Sequence, residues 1–252
     1  MKKNRIRILS YNIHKGFSAY NRKFVLNSMR TALQQVHPDV ILLQEVVGRN
    51  DSHAKNHPHW PSSTQFEFLA QDLWPYFAYG KNAIYTAGHH GNAILSKFPI
   101  IGWENLDVST NSFERRGLLH AILQPAWSHS PVHTICAHLG LFENDRQTQI
   151  DRLCRQIIHS VPKNEPLLIA GDFNDWRQQA TSRLRDQIKV EEVFYYFNQN
   201  HARTFPSWMP VFCLDRIYFR GMTPLSAICL QGKPWNQLSD HTAITAQLKL
   251  TE

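Results

Sequence analysis

The chain opens with RIRILSYN at 5–12, where Ile6 and Ile8 alternate with basic residues as along a half-buried strand. Two apolar runs, DVILLQEV at 39–46 and PLLIAGD at 166–172, lack alternation and have the length of strands buried on both faces. Helical spacing governs two other stretches. In 22–37, Val25, Met29, Ala32, Leu33 and Val36 share a face, and Pro38 stops the helix. Over about 144–160 the face is Ile150, Leu153, Cys154, Ile157, Ile158 and Val161. A third helix is expected over 66–74, after a polar loop rich in His and Pro. Further strands are expected at 82–86, 91–96, 100–108, 117–124, 132–139, 214–219, 225–230 and 242–250. Many strands, few helices and little strict alternation of the two predict an α/β (α+β) fold of packed mixed sheets flanked by helices. No repeat or low-complexity linker interrupts the pattern, so one domain over 1–252 is expected.

Composition narrows the class. With 42% apolar residues and 19% charged, the chain is not of the disordered type. The longest stretch free of Asp, Glu, Lys and Arg, Gly117 to Phe142, contains His120, His129, His133, His138, Pro125 and Pro131. That mix suits two strands around a turn better than a membrane span. The start, MKKNRIRILS, has no apolar segment of leader length, so a cytoplasmic protein is expected. No Cys pair among 136, 154, 213 and 229 is spaced C-x-x-C, which argues for reduced buried thiols over a zinc or redox site. The net charge of +7 favours anionic partners, yet no basic block concentrates it.

The chemistry gathers where the apolar runs end. Asn12 closes LSYN, Gln44 and Glu45 lie in ILLQEV, His138 in CAHLG, and Asp172, Asn174 and Asp175 in IAGDFND. Asp215 begins LDRIY, and Asp240 and His241 follow in LSDHT. Singly, each has a structural reading as a turn former, a cap or an ion-pair partner. Jointly, strand ends carrying carboxylates, amides and imidazoles converge on one face, where desolvation and repulsion call for a hard divalent cation. Oxygen donors without thiolates favour Mg²⁺ or Mn²⁺ over zinc.

The ordered set YN, LQE, GNAILS, AHLG, GDFND, LDRIY and SDH, from about residue 6 to 249, resembles the endonuclease/exonuclease/phosphatase superfamily with its DNase I-like fold. NIHKG, HHGNAILS and GDFNDWRQ resemble one bacterial branch of it. The resemblance implies a four-layer sandwich of two mixed sheets between helices, and hydrolysis of phosphoesters with Mg²⁺, for which Mn²⁺ substitutes. It implies Glu45 as the principal metal ligand, with Asn12 and Asp240 completing or flanking the metal site. It implies Asp172 and Asn174 facing the scissile phosphate, Asp215 and His241 as a carboxylate–imidazole dyad, and His138 at a position held by His or Tyr. Members that nick DNA pair that position with a second acid, which no motif here supplies; Glu143 sits toward a helix.

Other residues carry two readings. Arg115 and Arg116 clamp a phosphate or solvate the surface, and His14 and Lys15 touch substrate or form a solvated turn. His53, His57, His59, His89 and His90 read as polar loop rather than as a zinc site. Trp60, Trp176, Trp208 and Trp235 stack on bases, enter lipid or simply pack. The functions in competition are a nuclease acting on DNA or RNA, a phosphodiesterase or phosphatase acting on a lipid headgroup at a membrane surface or on a small phosphate, and a non-catalytic scaffold.

Overall fold

The computed structural model describes residues 4–251. Residues 1–3, the basic start assigned above to no leader, and residue 252 lie outside the described residues. Strand β1 (Arg5–Asn12) runs parallel to β2 (Val40–Asn50), and α1 (Leu26–Val36) makes the crossover between them. The helix ends at His37, which takes the left-handed conformation just ahead of Pro38. Next come α2 (Asp51–Asn56), α3 (Gln65–Ala70) and the antiparallel pair β3 (Tyr76–Tyr85) and β4 (Gly88–Ser96). Strands β5 (Ile100–Asp107), β6 (Gly117–Leu123) and β7 (Val132–His138) follow, the last two filling the stretch that lacks charged residues. Helix α4 (Glu143–Ser160) then crosses to β8 (Leu167–Asp172), which is parallel to β7. The chain finishes with α5 (Ala180–Ile188), β9 (Glu191–Glu192), α6 (Val193–Asn198), β10 (Asp215–Arg220), β11 (Met222–Cys229) and β12 (Ile244–Leu250).

Two six-stranded mixed sheets result, ordered β11-β12-β1-β2-β4-β3 and β5-β6-β7-β8-β10-β9. Their inner faces share a core in which Ile6, Ile8, Leu42 and Ile94 meet Leu119, Cys136, Leu168 and Ile217. On the outer face of the first sheet, Met29 and Leu33 of α1 and Leu69 of α3 pack on Leu9, Ile41 and Leu43. Outside the second, Leu153 and Ile157 of α4 and Leu184 of α5 pack on Ile135, Ile169 and Tyr218. The order is therefore helices, sheet, sheet, helices, the four-layer sandwich that the motifs imply. Asn92 of β4 ties the layers from within, its Nδ2 donating to Gly117 O (2.9 Å) and Cys136 O (3.2 Å) across the sandwich.

Some expectations need correction. Residues 51–56, read as polar loop, form α2, with Asn50 Oδ1 capping His53 N at 2.9 Å. The helix expected over 66–74 starts at Gln65, where Thr64 and Glu67 make a capping box, and ends at Ala70. Helices α5 and α6 lie in a stretch where no helix is expected from the pattern; their apolar faces are short and interrupted. All four cysteines are free.

Candidate active site

The two parallel pairs, β1–β2 and β7–β8, each sit inside a sheet, and the carboxyl ends of all four strands come to the same edge of the sandwich. Register does the fine placement. His138 of β7 is opposite Asp172 of β8, and Asp215 of antiparallel β10 is opposite Asp172 from the other side. Three titratable side chains thus form a row across neighbouring strands. In the facing sheet Asn12 pairs with Gln44, one residue before Glu45.

Glu45 lies where the β2–β4 register slips between Leu43 and Val46, and its φ is +56°. A bulge of this kind re-aims one side chain without breaking the strand. Gly171 performs the matching service for Asp172: its φ is +151°, and a Cβ there would fall 1.8 Å from Ala137 O. Only glycine permits β7 and β8 to approach so closely just before the carboxylate.

Asn12 links the sheets at this edge, its Nδ2 donating to Asp172 Oδ2 (3.1 Å) and to Glu45 Oε1 (3.4 Å). Asp172 Oδ1 accepts from Asn174 N at 2.9 Å, while His138 Nε2 and His241 Nε2 each lie 3.6 Å from Asp172 Oδ2. His241 Nδ1 is 2.9 Å from Asp215 Oδ2, and Asp215 Oδ1 is buried with no hydrogen-bond partner among the described residues. Asn174 has a left-handed φ of +47° and donates from Nδ2 to Leu139 O (2.9 Å), so its amide fastens the β7 and β8 loops together. Lys15 Nζ is 3.9 Å from Glu45 Oε2, and His14 Nδ1 is 3.6 Å from Asp240 Oδ1.

Burial and neighbouring charge set the protonation pattern. Burial pushes Asp172 up, and Asp215 adds to this against the pull of His241, leaving its carboxyl at about 6. Burial alone would lower His241, but the Asp215 and Asp172 carboxylates beside it outweigh burial and raise it to about 10. His138 goes the other way: burial, then the charges of Arg116 and His241, hold it well below the ordinary imidazole range, hence neutral. For Glu45, burial is outweighed by Lys15, His14, His241 and the Asn12 hydrogen bond, so its carboxyl stays ionised below the usual range.

The structure thus brings Asn12, Glu45, His138, Asp172, Asn174, Asp215 and His241 together, with His14, Lys15 and Asp240 at their margin. Arg115 stands apart, half-exposed and 4.0 Å from Asp107. Arg116 is buried deeper, bonds Glu114 Oε1 at 2.6 Å, and acts electrostatically on His138 and His90. Asp175 points away and accepts from Gln179 N (3.0 Å) and Ala180 N (2.9 Å) at the start of α5. Glu143 pairs with Arg146 inside α4, and the acid that neighbours His138 is Asp172. His53, His57 and Trp60 stack with Phe17 and Phe24 in an aromatic cluster, and His89 Nδ1 meets Tyr79 OH at 3.0 Å. Trp235 packs against Tyr11, while Trp176 packs on Phe205 and Phe212.

Two further residues border the site. Ser239 Oγ donates to Asn12 O (2.8 Å) and accepts from His241 N (3.3 Å), fixing the loop that carries the imidazole. Its signal was present in the SDH motif. His90 is lowered to about 4, chiefly by burial and then by Lys15, and it senses the charge of Glu45. Its neighbour His89 carries the same letter and sits elsewhere, so only the register of β4 separates them.

A fold of two mixed sheets with carboxylates, amides and imidazoles gathered at their common edge defines a hydrolase-type site, and comparison with known proteins agrees. The Endonuclease/Exonuclease/phosphatase family model matches residues 9–241, and the chain belongs to that family. It is 43% identical over 244 residues to the protein YbhP of Escherichia coli (strain K12), covering 97% of this chain and 96% of that protein. In structure it is similar to an endonuclease/exonuclease/phosphatase from Beutenbergia cavernae, with a TM-score of 0.80 at 17% identity over 98% of this chain and 72% of that one. D. rerio TDP2 complexed with single strand DNA product gives 0.70 at 19% identity, over 97% of this chain and 99% of that one. At such identities the structural likeness speaks for the fold. Among the described residues no helix is long and apolar enough to cross a membrane.

Proposed function

We propose that this chain is a divalent-metal-dependent phosphodiesterase, built as one domain over 1–252, that hydrolyses nucleic acid by in-line attack of water. The observation that carries the reading is the opposed protonation of two touching groups. Asp172, at about 6, and His241, at about 10, lie 3.6 Å apart at one sheet edge. Groups pushed apart in this way divide base and acid work between them.

The donor set suits a hard cation. Glu45 is ionised, with Asn12 beside it and Asp240 at the margin, and the buried thiol of Cys136 is tied up with Gln44 and Leu43. Asp172, Asp215 and His241 are also close enough to hold an ion. There, however, the two carboxylates hold His241 protonated, so its ring offers no lone pair to a cation, which favours Glu45 as the anchor. Mg²⁺ held at Glu45, with Mn²⁺ as substitute, would supply charge neutralisation at a phosphate oxygen and at the leaving alkoxide. Asp172, held by Asn12 and by Asn174 N, orients and deprotonates the attacking water. His241, charged and fixed by Asp215, donates to a phosphate oxygen as negative charge builds there. His138, held neutral, donates a hydrogen bond to the phosphate rather than a full proton. Lys15, His14 and Arg116 add positive field, and Arg115 is reserved for substrate that extends beyond the site.

The nucleic-acid substrate is supported by the family and by the single-strand DNA product in the TDP2 structure of similar fold. A panel of single-stranded and duplex DNA, RNA, a chromogenic bis-aryl diester, phosphomonoesters and phospholipid vesicles, each with Mg²⁺, Mn²⁺ or EDTA, tests it. Single strands are expected to be cut at least as well as duplex, because a flexible strand enters a recessed site without the deformation a duplex needs. Hydrolysis of phospholipid or a small ester with no cut DNA or RNA would replace the nuclease reading. That second reading has its own support in Phe113 and Phe142, 98% and 69% exposed on the loops beside Arg116 and α4.

A further inference from the structure

Beside the active site runs a groove of about 720 Å³ between the segment that follows Lys15 and the 234–238 turn. Both of its walls are anchored in the site. The first begins at the His14–Lys15 turn, where Lys15 faces Glu45. The second includes Trp208, on a loop whose Phe205 ring is 5.0 Å from the His241 ring and whose Ser207 N donates to Asp240 O at 2.7 Å.

Its lining has a definite chemical character. Tyr20 and Trp208 are 71% and 53% exposed, so two aromatic faces are open toward solvent. Arg22 and Lys23 are exposed too, and neither has an acidic partner among the described residues; the Arg22 guanidinium lies 5.2 Å over the Tyr20 ring. Asn236 and Gln237 contribute amides, and among the described residues no acidic one lines the groove. The Tyr20 backbone has φ +62°, a left-handed conformation unfavourable for a bulky residue, and its ring gains little packing in return. Solubility does not require an exposed ring held in that conformation.

We propose that this groove is a nucleotide subsite that takes the unit next to the scissile phosphate of a single-stranded polynucleotide. Tyr20 and Trp208 stack on its base, Arg22 and Lys23 bind its phosphate, and the amides of Asn236 and Gln237 meet base edges. This rests on the nucleic-acid reading above. A concave, cationic and amide-bearing wall fits an anionic unit with a planar face better than it fits acyl chains, which call for protruding apolar tips.

The test measures binding of a fluorescent oligothymidylate to metal-free protein by anisotropy, beside hydrolysis of the bis-aryl diester with Mg²⁺. The Tyr20→Ala/Trp208→Ala pair is expected to weaken oligonucleotide binding roughly tenfold to a hundredfold. Tyr20→Phe/Trp208→Phe should restore most of it, and diester hydrolysis should stay within about twofold because that substrate does not reach the groove. Arg22→Gln/Lys23→Gln should lower the slope of log affinity against log salt by roughly 1. Unchanged affinity in the Ala pair overturns the subsite, as does loss of binding to phosphatidylcholine–phosphatidylglycerol vesicles with oligonucleotide binding intact. Failure of the nucleic-acid reading looks different: the wild-type protein then hydrolyses the diester but neither binds nor cuts the oligonucleotide, and the subsite falls with it.

Discussion

Glu45 follows the buried apolar run Val40–Leu43 and Gln44 in β2, and its carboxylate reaches the site because a bulge turns it there. Glu45→Gln retains size and hydrogen bonding but removes the charge proposed to hold the cation. Hydrolysis is expected to fall by roughly a hundredfold or more, with the far-ultraviolet circular dichroism unchanged. Wild-type rates for this variant would remove Glu45 from the metal site. The dyad makes a sharper residue-scale claim. His241 stands at about 10, above the ordinary imidazole value near 6.5, because Asp215 and Asp172 outweigh its burial. A raised folded value means the charge pairing stabilises fully below about pH 6.5 and fades as pH climbs through 10. Asp215→Asn should therefore lower the His241 value in an NMR titration. Its stability deficit in metal-free protein should be widest near pH 6 and narrow as pH rises through about 10. An unmoved His241 titration would show that the two side chains do not meet in solution.

At the scale of elements, the short GDFND motif sends its two carboxylates to different places. Asp172 faces the site from the end of β8, while Asp175, three residues later, accepts from Gln179 N and Ala180 N at the first turn of α5. The two carboxylates therefore predict different phenotypes. Asp175→Ala should destabilise the protein by about 1–2 kcal/mol in denaturant unfolding, as loss of a buried helix cap does. Hydrolysis of a small diester below the melting transition should remain within a fewfold of wild type. A drop as deep as that expected for Glu45→Gln would instead place Asp175 in the chemistry. The same motif shows why α5 escaped the hydrophobic pattern. Its start is specified by a cap from outside the helix, and its buried face is limited to Ala180, Thr181, Leu184 and Ile188.

For the whole molecule, the relevant property is charge without concentration. A net +7 is spread across the surface, with local positive field at Lys15, Arg116 and the Arg22–Lys23 pair. Cleavage of single-stranded DNA should slow as salt rises from low to physiological strength, because polyanion binding releases counterions. Hydrolysis of the small diester should change far less over the same range. Equal salt sensitivity of the two substrates would mean that salt acts on the protein or its metal rather than on binding of a polyanion.

The sequence by itself carried eleven of the twelve strands among the described residues, though only the second half of β3, with the two long helices and the residue types at the strand ends, because burial leaves either a period or a short unbroken apolar run; β9, two residues long, left neither. It also carried the chemistry of the site, since oxygen and imidazole groups closing apolar runs have few purely structural uses when they occur together. It was silent on α2, α5 and α6, whose stability comes from caps and short contacts rather than from a long apolar face. Only the tertiary structure separated Arg116 from Arg115 and His90 from His89, pairs whose members carry the same chemical letter, and only it showed that Asp175 caps α5. The physical reason is register. Which of two near neighbours faces the site depends on strand pairing, on the bulge at Glu45 and on the close approach at Gly171. Each of these is settled by contacts between segments more than thirty residues apart.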